Sequence, residues 1–354
     1  MATTTYTFPN SAVISSILQD KLPARLSDLG DDALLQHLPM QSVNAVKVIW
    51  EQLDNYQGTT QIRGYGVNPV RIARAGINRF NMDPGVYGDS ALVDEEDLTV
   101  RREMGTFGLP VKIDDLVMER QDALIDRFVN FYRLQAGMLF TQGQVTYGDG
   151  KKLNVNQSFP LQTFTAIYPW SNTAQSTPLA DLRALALLQR GHSVDFGQGV
   201  IMLNRSMMNY VLANTNAADL GGKRQLVGMQ KIGGGILNVE QLNFILQAEN
   251  LPTISIYDKT YYPVGSSTPT LFIPDGKAVV IGRRDNGEPL ARFLLTRNAK
   301  NMMPADGVMK PFENLAMQVI NKSEIQAVPE IEVSLMFNGG PAIYFPSGIV
   351  KMSI

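Results

Sequence analysis

The chain has 354 residues, 44% of them hydrophobic, enough to bury a large core split between two or more lobes. Only 18% are charged, the formal net charge is −2 and there is no cysteine. These values argue against a basic nucleic-acid grip and exclude disulfides, a thiolate nucleophile and a cysteine metal site.

A shortage of charge suits surfaces that other subunits cover, because interface cores are depleted in charge. A loop-rich surface of Ser, Thr, Asn and Gln is the alternative. The opening residues, MATTTYTFPN, lack both a basic and an apolar signal region. No run of 18 apolar residues occurs, so the sequence predicts no membrane span and synthesis in the cytoplasm.

Residues 1–43 are weakly periodic, broken by Pro9, Pro23 and Pro39, with a short amphipathic helix expected over 11–18. They read as an arm. Val46, Val48 and Trp50 give strand text, and then charge segregates. Residues 61–80 contain only Arg63, Arg71, Arg74 and Arg79 as charged groups; residues 81–97 contain only Asp83, Asp89, Asp94, Glu95, Glu96 and Asp97. With glycines at 64, 66, 76, 85 and 88, the stretch is expected to be a long two-stranded projecting loop. Its charge runs are either a solvated surface or a reaching arm that meets opposite charge on another subunit.

The firmest helix spans 114–142. Asp114 is its predicted N-cap, Asp115 favours the positive end of the dipole, and Val117, Leu124, Phe128, Phe131 and Met138 make one stripe. At 1.5 Å per residue it would be about 40 Å long, a strut ending at Gly143. Further helices are predicted over 178–190 (Thr177 cap, Pro178 at the first position), 205–214 (Asn204 cap) and 238–247 (Asn238 and Gln241 as a capping box). Strands are expected over 200–203 and 253–257. Leu271, Phe272 and Ile273 are expected to fold back on 277–281 through a Pro274–Asp275–Gly276 turn. Residues 283–310 read as irregular. Ile331, Val333 and Leu335 alternate with Glu330, Glu332 and Ser334 as a half-buried strand. Gly339–Gly340–Pro341 and Pro346–Ser347–Gly348 are expected to separate two more short strands. The fold class is α+β.

Chemistry-bearing patterns are weak. The two histidines, His37 and His192, form no paired metal spacing. His192 sits in GHSVD, where Asp195 stands in place of the glycine of a nucleophile elbow; a loop before a strand is the plainer reading. Gly221–Gly222–Lys223 lacks the remaining residues of a phosphate loop, and Gly233–Gly235 has no dinucleotide continuation. The acidic run 94–97 lacks calcium-loop spacing. No cofactor, metal site or catalytic residue is expected.

Residues 251–282 contain the order IYD…Y…FIPDGKAVVIG, which resembles the major capsid protein E family of tailed bacteriophages, the lambda-type shell proteins. RFNMDPGVYGDSALVDEEDL (79–98) resembles the family's segment before the long helix, through Phe80, Pro84, Tyr87 and Asp97–Leu98. DLRALALLQRG and VIMLNRSMMNYVLANTN (181–216) resemble its axial helix, strand and helix. The family's second proline and basic residue near Pro84 are replaced by Gly85 and Gly88–Asp89.

The resemblance implies the Hong Kong 97-type capsid fold. Residues 1–43 would be the N-terminal arm and 44–110 the extended E-loop. Residues 111–165 would be the peripheral domain with its spine helix, 166–310 the axial domain, and 311–354 the returning peripheral strands. It further implies a structural protein, not an enzyme, that forms hexamers and pentamers of an icosahedral virion capsid assembled in the host cytoplasm. A scaffold protein, a portal, a decoration protein and non-specifically contacted double-stranded DNA would be its partners, with no membrane. Arg63, Arg71, Arg74, Arg79, Asp94, Glu95, Glu96 and Asp97 would help dock the E-loop on a neighbour. An encapsulin-like compartment shell and a carboxylate-dependent soluble enzyme are the competing readings.

Overall fold

The computed structural model describes residues 31–53, 62–66, 68, 77–102, 111–148, 154–189, 194–214, 238–263, 265–284, 286–299, 308–312, 314–322 and 330–354. In chain order its elements are β1 (Met40–Ser42), β2 (Val48–Leu53), β3 (Ile77–Met82), β4 (Gly85–Val93), α1 (Glu95–Val100), α2 (Ile113–Gln142), β5 (Gln144–Gly148), β6 (Asn154–Ser158) and β7 (Gln162–Thr165). Then come α3 (Pro178–Leu188), β8 (Val194–Leu203), α4 (Arg205–Ala213), α5 (Val239–Ala248), β9 (Thr253–Ile256), β10 (Thr260–Tyr261), β11 (Thr270–Leu271) and β12 (Lys277–Arg284). The chain closes with β13 (Ala291–Thr296), β14 (Val308–Phe312), β15 (Leu315–Asn321), β16 (Ile331–Ile343) and β17 (Ile349–Ser353). The expected helix over 11–18 and the glycines at 221–222 and 233–235 lie outside the described residues.

The chain divides into two compact units. The first is Met1–Lys47, Asp83–Gln135 and Phe293–Pro341; the second is Val48–Met82, Ala136–Arg292 and Ala342–Ile354. The α2 helix contributes its residues through Gln135 to the first and those from Ala136 to the second.

The first unit is built on a sheet in the order β1-β13-β16-β15-β14, with β4 also paired to β16. The alternation read at 331–335 places Ile331, Val333 and Leu335 inward. Phe337, two steps on, meets Phe128 and Phe131 of α2 at 4.8 and 5.7 Å between ring centres, and Tyr87 of β4 stacks on it at 4.9 Å. Here the predicted helical stripe does its packing, although burial extends well beyond it to Leu116, Ile125 and Tyr132.

Residues 31–45 are fastened to this unit. Leu34 and Leu38 are fully buried, and β1 runs parallel to β13, Met40 beside Phe293. The Asp32 carboxylate, wholly shielded from solvent, receives the Arg133 Nε at 2.8 Å and the Leu34 N–H at 3.1 Å. The Tyr132 hydroxyl donates to the Leu38 carbonyl, and burial pushes that phenol's pKa up.

His37 lies half-buried in the single turn Leu35–His37. Burial lowers its pKa from 6.5 to about 4. Below 6.5 the unfolded chain takes up a proton that the folded chain refuses until about pH 4. Stability is therefore expected to fall, by up to about 3 kcal/mol, as pH drops through that window, and to level off beneath it. Urea titrations at pH 7 and pH 4.5 on the chain and on His37→Gln test this; an equal pH slope in both would remove His37 from the account.

The second unit holds a five-stranded sheet in the order β7-β17-β12-β8-β9. Its central strand is the apolar run Ala278–Ile281, each residue 2% exposed or less. Val279 pairs with Met202 on one side and Lys351 on the other. Ala278 and Val280 pack with Ile201, Leu203, Val350 and Met352 against the inner sides of α3, α4 and α5. Two of the predicted caps are in place. Asn204 Oδ1 accepts the Met207 N–H at 2.9 Å, and Asn238 with Gln241 closes a capping box. Thr177 precedes Pro178 as expected but makes no side-chain cap. The edge strand β9 is sealed by Asn243, which exchanges two hydrogen bonds with the Ile254 backbone at 3.0 and 2.8 Å.

Several expectations differ from this architecture. The turn at Pro274–Asp275–Gly276 forms, with Gly276 at φ +72°, but the apolar runs on either side do not pair with each other. Thr270–Leu271 pairs with β10 instead, and Phe272 stacks on Tyr261 at 4.9 Å. The Ile273 carbonyl is met by the Asn204 side chain. A strand buried on both faces needs two long ladders, and β8 and β17 supply them better than three residues can. Gly339–Pro341 lie inside β16 and do not break it. At Gly339 the Leu294 carbonyl occupies the place of a side chain, so this glycine permits strand approach. Residues Ala291–Thr296, read as irregular, form an almost wholly buried strand. The acidic half of the expected loop also lies elsewhere: β4 pairs with β16 over nine residues, from Gly85 opposite Gly339 to Val93 opposite Ile331.

Candidate inter-subunit surface

Strands β2 and β3 form a separate antiparallel ribbon, in register from Val48 opposite Met82 to Leu53 opposite Ile77. Strand alternation gives it two faces. On one, Trp50 stacks with Phe80 at 5.8 Å, lies 5.4 Å from Tyr344, and donates its indole N–H to the Ile343 carbonyl at 3.1 Å. This anchors the ribbon in its own unit. On the other, Ile49 and Ile77 are 56% and 60% exposed, with the Glu51–Arg79 pair between them at 3.5 Å. Beyond the ribbon, Ile62 and Tyr65 flank Arg63 with their side chains entirely in solvent. Gly66, at φ +80°, turns the chain there.

The sequence-selected acidic residues open α1 in the first unit. Asp94 is its N-cap, accepting the Asp97 N–H at 3.0 Å. Asp97 is engaged within the chain, 2.6 Å from Arg120 and 3.6 Å from Arg101. Glu95 and Glu96 are exposed, and no ion pair among the described residues reaches them. Arg79 and Arg63 belong to the second unit, while Arg71 and Arg74 lie outside the described residues. Arg120, Arg127 and Arg133 of α2 each hold acceptors elsewhere in the first unit. Arg120 holds the Leu92 carbonyl and Asp97, Arg127 grips Asp89 with two bonds of 3.1 Å, and Arg133 holds Asp32. The Asp89 pair raises the Arg127 pKa, mainly through its hydrogen bonds.

A family model described as phage major capsid protein E matches residues 20–313. The chain belongs to that family. A phage-related protein from Bordetella bronchiseptica RB50 superimposes with a TM-score of 0.56 at 10% identity, covering 96% of both chains. The capsid subunit of a native GTA particle superimposes at 0.50 with 11% identity, covering 91% of this chain and 89% of that one. Comparison with curated proteins gave no match. At these identities the likenesses establish the fold, which is that of Hong Kong 97-type phage capsid proteins. The chain is a tailed-phage major capsid protein, a structural component of the virion.

For a capsid protein, exposed apolar groups are candidates for contact with another subunit. Sequence reasoning named the charges and not the exposed apolar residues Ile49, Ile62, Tyr65 and Ile77. A usable signal existed: Ile49–Glu51 and Arg79–Ile77 share a face by period two, and Ile62–Arg63–Gly64–Tyr65–Gly66 places large apolar side chains among glycines. Of the catalytic look-alikes, Asp195 accepts the Gly197 and Gln198 N–H groups in a local turn, and residues 190–193 lie outside the described set. Among the described residues no three His, Asp or Glu side chains gather as a metal site, and no helix is long and apolar enough to cross a membrane.

Proposed function

We propose that copies of this capsid protein interlock through the β2–β3 ribbon to build the hexamers and pentamers of an icosahedral shell. In this reading the ribbon is the core of the E-loop expected over 44–110, with its acidic half seated on β16, and residues 1–43 are the arm. Residues 111–165 and 311–354 form the peripheral domain, and 166–310 the axial domain. A scaffold protein, a portal and a decoration protein attend the assembly in the host cytoplasm, and packaged double-stranded DNA is contacted without sequence preference.

The supporting observation is the apolar exposure of Ile49 and Ile77 on the ribbon and of Ile62 and Tyr65 beyond it. Covering an isoleucine-sized side chain contributes roughly 1.5–3 kcal/mol, whereas an exposed ion pair contributes about 0–1 kcal/mol. Ile62 and Tyr65 therefore supply affinity at each contact. Arg63, Arg71, Arg74 and Arg79, facing Asp94, Glu95 and Glu96 of a neighbour, set register; Asp97 assists by holding α1 in place.

The combined substitution Ile62→Ser and Tyr65→Ser is expected to leave the circular dichroism spectrum intact and to stop assembly at capsomers or smaller species. Glu95→Lys with Glu96→Lys is expected to slow assembly mainly at low salt. Particle yield by negative-stain microscopy is the readout. Full yield of normal particles from the apolar variant would overturn the reading.

A further inference from the structure

Two Asn–Gly pairs occur in the chain, Asn286–Gly287 and Asn338–Gly339. Asparagine before glycine is chemically labile, because an unhindered backbone nitrogen can reach the preceding side-chain amide carbon. Whether it does so depends on how the fold holds both groups.

The two pairs are held very differently. Asn286 and Gly287 are exposed in the turn between β12 and β13. Gly287 has φ +73° and open space around it. Its N–H donates to the Arg284 carbonyl at 2.9 Å, a bond at the surface that opens at little cost. The Glu288 N–H donates to Asn286 Oδ1 at 3.1 Å, and Asn286 Nδ2 donates to Glu288 Oε2 at 3.0 Å. The first of these bonds places a donor where negative charge would develop on the amide oxygen during attack. Asn338, by contrast, lies within β16, its Nδ2 bonded to the Arg297 carbonyl at 2.9 Å. Gly339 is buried opposite Gly85, with the Leu294 carbonyl against it.

We propose that Asn286 is a site of spontaneous deamidation in the folded protein and that Asn338 is protected. Hydroxide removes the Gly287 amide proton, and the nitrogen attacks Cγ of Asn286. The N–Cγ bond forms, the Cγ–Nδ2 bond breaks, and ammonia leaves with a proton from water, which restores the hydroxide. A second water opens the cyclic imide at either carbonyl, giving aspartate or isoaspartate. The balance is one water consumed and one ammonia released, with no change of oxidation state. The new carboxylate stands beside Glu288, which already pairs with Arg284 at 2.6 Å while that guanidinium stacks on Phe345 at 3.8 Å. Conversion therefore adds like charge to a turn whose only cation is already engaged among the described residues 284 and 286–288.

The test incubates the full-length folded protein at mildly alkaline pH and follows both tryptic peptides by mass spectrometry, with isoaspartate detected by its methyltransferase. Asn286 is expected to convert at least about tenfold faster than Asn338, equivalent to a barrier difference of about 1.4 kcal/mol. Gly287→Ala should slow conversion at Asn286 alone. Urea-unfolded chain should convert both pairs at similar rates. Equal rates at the two sites in the folded protein would overturn the proposal, as would an unchanged Asn286 peptide when the unfolded control converts.

Discussion

Trp170→Ala is expected to destabilise the second unit by about 3–5 kcal/mol. Trp170 is fully buried among Leu179, Leu182 and Leu185 of α3 and the strands beneath them. Its indole N–H donates to Asp181 Oδ2 at 2.9 Å. Removing the ring leaves a large cavity and strips a buried carboxyl of its donor. Burial already pushes the Asp181 pKa up, and the indole bond works against that shift. Trp170→Phe keeps most of the volume and loses only the donor, so its expected cost is about 1–3 kcal/mol. Urea denaturation followed by fluorescence and circular dichroism separates the two losses. A Trp170→Ala variant within 1 kcal/mol of the parent chain would mean that this packing contributes little.

Asp32→Ala is expected to cost about 3–5 kcal/mol in the first unit. The carboxylate is fully shielded and the paired Arg133 side chain is only 19% exposed, so truncation strands a partly buried guanidinium. It also removes the acceptor for the Leu34 N–H. Replacing both partners, Asp32→Leu with Arg133→Met, should recover much of the loss, because a buried pair is worth little against well-packed apolar groups. A double-mutant cycle measures the coupling. Additive losses would show that the two side chains act independently. Together with Tyr132 and β1, this pair holds residues 31–45 on the first unit.

The order of motifs points to the fold, and two of the helix starts are legible for a local reason. Asn204 and the Asn238–Gln241 pair act on backbone groups two to three residues away, so the sequence contains both partners of each bond. The long helix began one residue before its expected start, at Ile113, so Asp114 lies within its first turn and is not its N-cap; it ended as read. Strand pairing was less legible. The turn before Lys277 follows from proline and glycine alone, but nothing within ten residues says that β12 will choose β8 and β17.

The candidate surface divides in the same way. Charge segregation along 61–97 was visible in the sequence. Only the tertiary structure showed that Asp97 is taken by Arg120, 23 positions later, and that Trp50 pins one ribbon face to Ile343 while Ile49 and Ile77 stay in water. What the sequence determined alone was composition, caps, turns and periodicity, each set by atoms close along the chain. What the structure decided was which buried partner each group met, because burial depends on residues far apart in sequence competing for the same place.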